Sequence, residues 1–368
     1  MAVIDVVDAS ALSYDAFCAR YMAANRPVLL RKVTARWFPL ATQWSKPVSS
    51  ATTGSDSRFE INYEFLRGKY GHATVPVVDG AVVEYGSEAR TTMTFAEYLT
   101  LLESKLAGKR YLKDWHFVRA FSQEELYTTP TFFEDDWMNW WWDQKQNNED
   151  DYRFVYMGPA GSWTPLHQDV LRSYSWSVNV CGRKEWIFFH PDDEVKLKDQ
   201  FGRFTIPDFT MANVDPKQFP HVNEATPIYV TQEAGDAIFV PSGWYHQVAN
   251  LEDTVSINHN WFNGYNVLDM WHFLQREYEA VEAELANLKE LGLVGREFRD
   301  QCQLVMNANT GINYHEFRAL LRAKASDLAE KLLHSDTESE DAQTALQQHL
   351  ETTNSILKSL DAYFAADC

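Results

Sequence analysis

The rhythm of hydrophobic and polar positions changes twice along this chain. From Asp151 to Phe262, short β-branched and aromatic runs alternate with Gly, Pro and Asp turns, the pattern of a compact all-β unit. YRFVYM, YSWSVNV, EWIFF, IYVT, DAIFVP, YHQVAN and TVSINHNWF are its predicted strands. After Tyr265 the apolar residues Leu268, Trp271, Leu274, Tyr278, Val281, Leu285 and Leu288 recur at three- and four-residue steps, which predicts an amphipathic helix. Two more amphipathic stretches follow, near Tyr314 to Leu333 and Ala342 to Phe364, and the polar, acidic HSDTESEDAQ from His334 to Gln343 reads as an exposed loop between helices. The first 150 residues are mixed, with an amphipathic start at Tyr14 to Met22, the strand-like PVLLRKV at Pro27 to Val33, and four tryptophans crowded into FFEDDWMNWWW. The expected organisation is a mixed α/β flank over residues 1–150, a β-barrel or sandwich core over 151–264 and a helical region over 265–368.

Alternation inside the strands sorts side chains by face. In TVSINHNWF, Ser256, Asn258 and Asn260 share one face and Ile257, His259 and Trp261 the other. In YSWSVNV the same test groups Ser173, Ser175, Ser177 and Asn179. Polar faces of this kind suit a wet, ligand-bearing interior.

Composition narrows the class. With 45% hydrophobic and 14% aromatic residues in 368, the chain can bury a large core. The net charge of −19 disfavours an extended nucleic-acid footprint and fits a basic protein partner better, although acidity mostly serves solubility. MAVIDVVDAS has neither a basic leader nor a long apolar core, so no secretory signal or transit peptide is expected, and no stretch is apolar enough to span a membrane. Cys18, Cys181, Cys302 and Cys368 stand alone, which suits a reducing compartment, cytoplasmic or also nuclear, and argues against a structural zinc module.

The chemistry-bearing residues lie in two short stretches of the β region. In WTPLHQDVLRSY, His167 and Asp169 are two apart on an expected strand, so both side chains leave one face. His-X-Asp alone is common. A second segment, GDAIFVPSGWYHQVAN, adds a turn at Gly235 and Asp236, a strand to Pro241, and His246 opening the next strand. Two histidines and a carboxylate on a β-scaffold fill one face of an octahedron and leave positions open, which suits non-haem Fe(II) better than zinc. Lys184, seventeen residues after His167, opens an otherwise apolar strand; most lysines at such positions are solvated. Thr164 could bond the same carboxylate that Lys184 would neutralise. His190, His221, His259 and His272 read as structural.

YRFVYMGPAGSWTPLHQD, SYSWSVNVCGRKEWIFF and GDAIFVPSGWYHQV together resemble the JmjC oxygenases, most nearly the subgroup of the fourth JmjC-domain-containing protein, with the sixth a near relative. The resemblance spans about Pro27 to Phe262 and is sharp from Asp151 onward. It implies a double-stranded β-helix (a jelly-roll, cupin-like barrel) with a helical C-terminal region. It implies Fe(II) on His167, Asp169 and His246, and 2-oxoglutarate with its far carboxylate on Thr164 and Lys184. Tyr111 in RYLKDWHF, Asn258 and Asn260 become further pocket residues. Where near relatives carry an amide, this chain has Ser177, which puts that contact in doubt. The implied reaction couples decarboxylation of 2-oxoglutarate by dioxygen to hydroxylation of a protein side chain, with a lysine, in the translation termination release factor, as the family's nearest precedent. The acidic, aromatic run at Glu134 to Asp151 could attract an ammonium, although those tryptophans read first as core. N-methyl-lysine demethylation and a non-catalytic binding protein of the same fold are the alternatives. The C-terminal helices could shape a substrate groove, form a homodimer contact or simply pack on the barrel.

Overall fold

All seven strands predicted between Asp151 and Phe262 form, and their winding explains why so many are buried on both faces. The computed structural model describes residues 3–37, 43–48, 59–84, 87–145, 151–210, 214–334 and 340–365. In chain order its strands are β1 (Asp5–Asp8), β2 (Val28–Arg31), β3 (Ser45–Pro47), β4 (Phe59–Ile61), β5 (Thr74–Glu84), β6 (Ser87–Thr94), β7 (Arg110–Trp115), β8 (Arg153–Gly158), β9 (Trp163–His167) and β10 (Tyr174–Cys181). There follow β11 (Lys184–Phe189), β12 (Ile228–Gln232), β13 (Ala237–Val240), β14 (Tyr245–Asn250) and β15 (Thr254–Trp261).

A nine-stranded sheet has the order β1-β2-β13-β10-β15-β8-β7-β5-β6, and a four-stranded sheet the order β12-β11-β14-β9. From β8 to β15 the chain passes repeatedly from one sheet to the other, the winding of the expected double-stranded β-helix. Among the described residues the two sheets face each other without hydrogen-bonding into a closed barrel. Trp186, Phe188 and Val248 of the small sheet pack with Leu29, Ile238 and Val240 of the large one. Every residue of β10 is buried, because one face looks into that interior and the other supports a second core beneath the N-terminal flank.

The flank continues the large sheet. β1 and β2 extend it beyond β13, and β7, β5 and β6 extend it beyond β8. The helix Phe95–Glu103 starts at a capping box, in which Thr94 and Glu97 satisfy each other's backbone N–H groups, and it buries Phe95, Tyr98, Leu99 and Leu102 against the sheet.

Beyond β15 the helices Val267–Glu284, Ala286–Glu290, Gly295–Thr310, Tyr314–Leu333 and Glu340–Ala365 build a separate apolar cluster with Trp137 and Phe262. Three details differ from the sequence reading. Leu268 is 44% exposed, and Val267 and Met270 take the buried side of the first helix instead. The helix Gly295–Thr310 escapes the periodicity because its buried stripe is only Phe298, Cys302, Gln303 and Met306 in a charged surround. Of the expected loop over His334 to Gln343, Glu340 onward is helical, and residues 335–339 lie outside the described ones. Cys18, Cys181 and Cys302 are free and buried, and Cys368 also lies outside the description. No described helix is long and apolar enough to cross a membrane.

Candidate metal and cosubstrate centre

β9 is irregular where it meets β14, and that irregularity builds the site. His246 pairs with His167, yet Val248 pairs with Thr164, so a step of two on β14 matches a step of three on β9. In a regular strand, residues three apart point to opposite faces; the extra residue brings Thr164 and His167 to the same side, and both line one pocket. Pro165 occupies the bulge, where a missing N–H breaks no ladder bond.

Cross-strand pairing sets the imidazole rings of His167 and His246 with centroids 4.3 Å apart. His167 Nδ1 donates to the Pro165 carbonyl at 2.7 Å and His246 Nδ1 to the Trp244 carbonyl at 3.2 Å. A carbonyl can only accept, so each ring carries a proton on Nδ1, which leaves Nε2 as the atom that can face a metal. Burial, then the neighbouring His167, pushes His246 down to about 4, so it is neutral at physiological pH, the ligand form.

Asp169 corrects the sequence reading. β9 ends at His167, and Asp169 lies beyond it at φ −64°, ψ 149°, leading into a short 3-10 turn. What turns it toward the histidines is the loop, together with Ser175, whose hydroxyl donates to Asp169 Oδ2 at 2.7 Å. Leu171 and Arg172 follow with left-handed φ of 57° and 54°. Such strain persists where surroundings over-determine it, and here Leu171 is buried in the C-terminal cluster while the Arg172 carbonyl accepts from Ser242. The ligand atoms of His167, Asp169 and His246 all lie within 4.8 Å of one another, the sole such His/Cys/Asp/Glu group among the described residues.

Lys184 sits at the far end of the pocket, 3% exposed, and donates to Ser256 Oγ at 2.6 Å. Burial, then the positive charge of Lys113, pushes it down to about 7. A buried ammonium facing a hydroxyl rather than a carboxylate is suited to receive an anion. Thr164, Tyr111, Asn258 and Asn260 line the same pocket, with Asn260 Nδ2 donating to Ser173 Oγ at 3.1 Å. The Ser177 hydroxyl, opposite Asn258 in the β10–β15 ladder, is buried without a hydrogen-bond partner.

Sequence reasoning missed three neighbours. Tyr156 lines the pocket beside Lys184 and donates to Asp114 Oδ1 at 2.7 Å; its place in YRFVYM, opposite in parity to the core residues Val155 and Met157, could have disclosed it. Trp186, two residues after Lys184 and on the same face, stacks on His246 with centroids 5.6 Å apart. Lys113 is buried with its Nζ 5.2 Å from the Tyr111 ring, and no local pattern marks it.

The other candidates stand apart. His259 is buried against Trp176 and hydrogen-bonded to Tyr127, with burial and then Arg153 holding it well below the usual histidine range. His190 caps a 3-10 turn, and His221 pairs with Glu224. In the acidic, aromatic run, the rings of Trp137 and Trp140 hold the chain's own Lys324, at 5.2 and 4.7 Å, and Trp142 holds Lys145 at 4.1 Å. These tryptophans therefore serve the junction with the C-terminal helices.

Comparison with known proteins gives a consistent picture. A family model described as a cupin-like domain matches residues 14–266. The chain is 40% identical over 333 residues to a Gallus gallus protein named 2-oxoglutarate and iron-dependent oxygenase JMJD4, covering 88% of this chain and 75% of the relative. The Homo sapiens protein of the same name is 39% identical over 336 residues, 89% and 76% of the two chains. An Arabidopsis thaliana protein named arginine-specific demethylase JMJ20 is 37% identical over 330 residues, 85% and 68% of the two chains.

Proposed function

Since this chain belongs to the cupin-like JmjC family of 2-oxoglutarate and iron-dependent oxygenases, we propose that it hydroxylates a protein side chain, with a lysine as its target. The class works with Fe(II), 2-oxoglutarate and dioxygen. The observation that carries the site assignment is the polarity of one pocket, with two imidazoles and a carboxylate converging at one end and a buried lysine at the other. In this reading His167, Asp169 and His246 hold the iron. Thr164 and Lys184 take the far carboxylate of 2-oxoglutarate, and Tyr111, Asn258 and Asn260 complete its walls.

When bound, the iron and cosubstrate supply the oxidising power for inserting one oxygen atom into a substrate C–H bond. The chain's own residues orient and enclose. Ser175 fixes the Asp169 carboxylate, the Pro165 and Trp244 carbonyls fix the two imidazoles, and Lys184 with Thr164 sets the direction in which a dicarboxylate enters. Tyr156, Trp186 and Val248 give the pocket apolar walls that limit water.

A lysine-bearing protein suits the net charge of −19, and the family precedent makes the translation termination release factor the first target to try. Free, buried cysteines go with a cytoplasmic or nuclear place of action. One observation favours a second reading, N-methyl demethylation: the Arabidopsis relative is named for that reaction on arginine. Incubation with Fe(II), 2-oxoglutarate, air and the release factor, followed by peptide mass spectrometry, separates them. One added oxygen on a lysine supports hydroxylation. Methyl loss from methylated arginine or lysine peptides, with no oxygen gained on the release factor, sinks it in favour of demethylation.

A further inference from the structure

Backbone pairing carries His167 and His246 to the site and then stops. β9 ends at His167, and Asp169 lies past the ladder. Beyond that point side-chain hydrogen bonds join the two arms. Gln168, between His167 and Asp169 in sequence, donates from Nε2 to the Gly243 carbonyl at 2.6 Å. Gly243 stands three residues ahead of His246, in the turn leading into β14, with a left-handed φ of 74°. A Cβ there would come within 3.2 Å of Arg172 Nη1, so the arms approach closely. From the same turn the Ser242 hydroxyl donates to the Arg172 carbonyl at 2.7 Å, and the Ser242 carbonyl accepts from Asn25 Nδ2 at 2.9 Å.

We propose that Gln168 is a positioning residue for the metal: its carboxamide ties the arm bearing His167 and Asp169 to the arm bearing His246, holding three ligands at the reach of one ion. This rests on the reading of those residues as metal ligands. The two histidines face each other through the ladder itself. Asp169 has no such register, so loss of the brace is felt through the carboxylate, as loss of a group that orients a ligand.

The test is a Co(II) titration of the metal-free full chain, followed by visible absorption, with thermal melting of each metal-free protein in parallel. Gln168→Met keeps the length and removes the donor; its Co(II) affinity should fall about tenfold while its metal-free melting stays at the wild-type value. Gln168→Glu is isosteric but aims a carboxylate at a carbonyl. Added negative charge alone would tighten cation binding, whereas a lost brace weakens it, so a weaker Glu variant supports the proposal. Wild-type affinity in Gln168→Met, tighter binding in Gln168→Glu, or a weakening matched by collapse of the metal-free fold overturns it. Wild-type protein that binds Co(II) no better than His167→Ala would overturn the metal reading itself, a result distinct from failure of the brace alone.

Discussion

Burial changes the chemistry of Lys184 strongly. Removing it in Lys184→Ala deletes a buried, charge-assisted contact, and the 2-oxoglutarate concentration needed for half-saturation should rise about ten- to hundredfold, measured by equilibrium binding. A variant with unchanged cosubstrate dependence would end that assignment. The pH dependence has a definite sign. Burial and Lys113 bring Lys184 to about 7, so the free protein loses this proton as pH rises through neutrality, while a dicarboxylate binds the charged form. Affinity for 2-oxoglutarate should therefore be about tenfold weaker at pH 8 than at pH 6, and a flat or inverted profile would contradict it. The same shift means that stability of the free protein increases from about pH 7 toward the unfolded value of 10.5, because the unfolded lysine holds a proton that the folded one has released. At the metal end, His167→Ala or Asp169→Ala should abolish the weak visible charge-transfer band of the anaerobic Fe(II)–2-oxoglutarate protein; a band surviving both would place the iron elsewhere.

Among the elements, β9 and the last helix carry the sharpest constraints. The bulge in β9 is the reason a threonine three residues before a histidine can share its pocket, and pleat parity alone argues against that pairing. The helix Glu340–Ala365 closes on the chain just after β15, where a Cβ on Gly264 would lie 2.0 Å from His349 Cγ. His349 is buried there against Tyr265, with centroids 4.5 Å apart. Gly264→Ala should thus destabilise by ~1–3 kcal/mol, seen as a lower urea midpoint, with little effect on metal binding. An unchanged midpoint would show that the helix can shift freely.

Over the whole molecule, the two largest of the described apolar clusters share the work. One supports the large sheet from the N-terminal flank, and the other binds the C-terminal helices to Trp137, Leu171 and Phe262. Leu171 is two residues from Asp169, so the helical cluster reaches the loop of the candidate site. A chain ending before Glu340 would uncover the surface now covered by Ile356 and Leu360, both almost fully buried. It should bind a hydrophobic dye, melt earlier and hold metal less tightly; native-like melting with full metal affinity would assign that helix no structural share in the site.

Seven strands of the β region and the helices beyond Tyr265, save Gly295–Thr310, could be read from the residues alone, as could the types of the candidate ligands, because alternation, helical period and side-chain chemistry are local. His167, Asp169, His246, Thr164 and Lys184 were legible as types at suggestive spacings. Ser256, Asn258 and Asn260 were legible as a polar face, and Lys184 now donates to the first of them. Contacts between distant segments alone make Asp169 leave the strand, turn Thr164 inward at a bulge, set Tyr156 and Trp186 as pocket walls and bring Lys113 to bear on Lys184. Each of these depends on which strand lies opposite and in what register, and register arises between segments far apart in the chain.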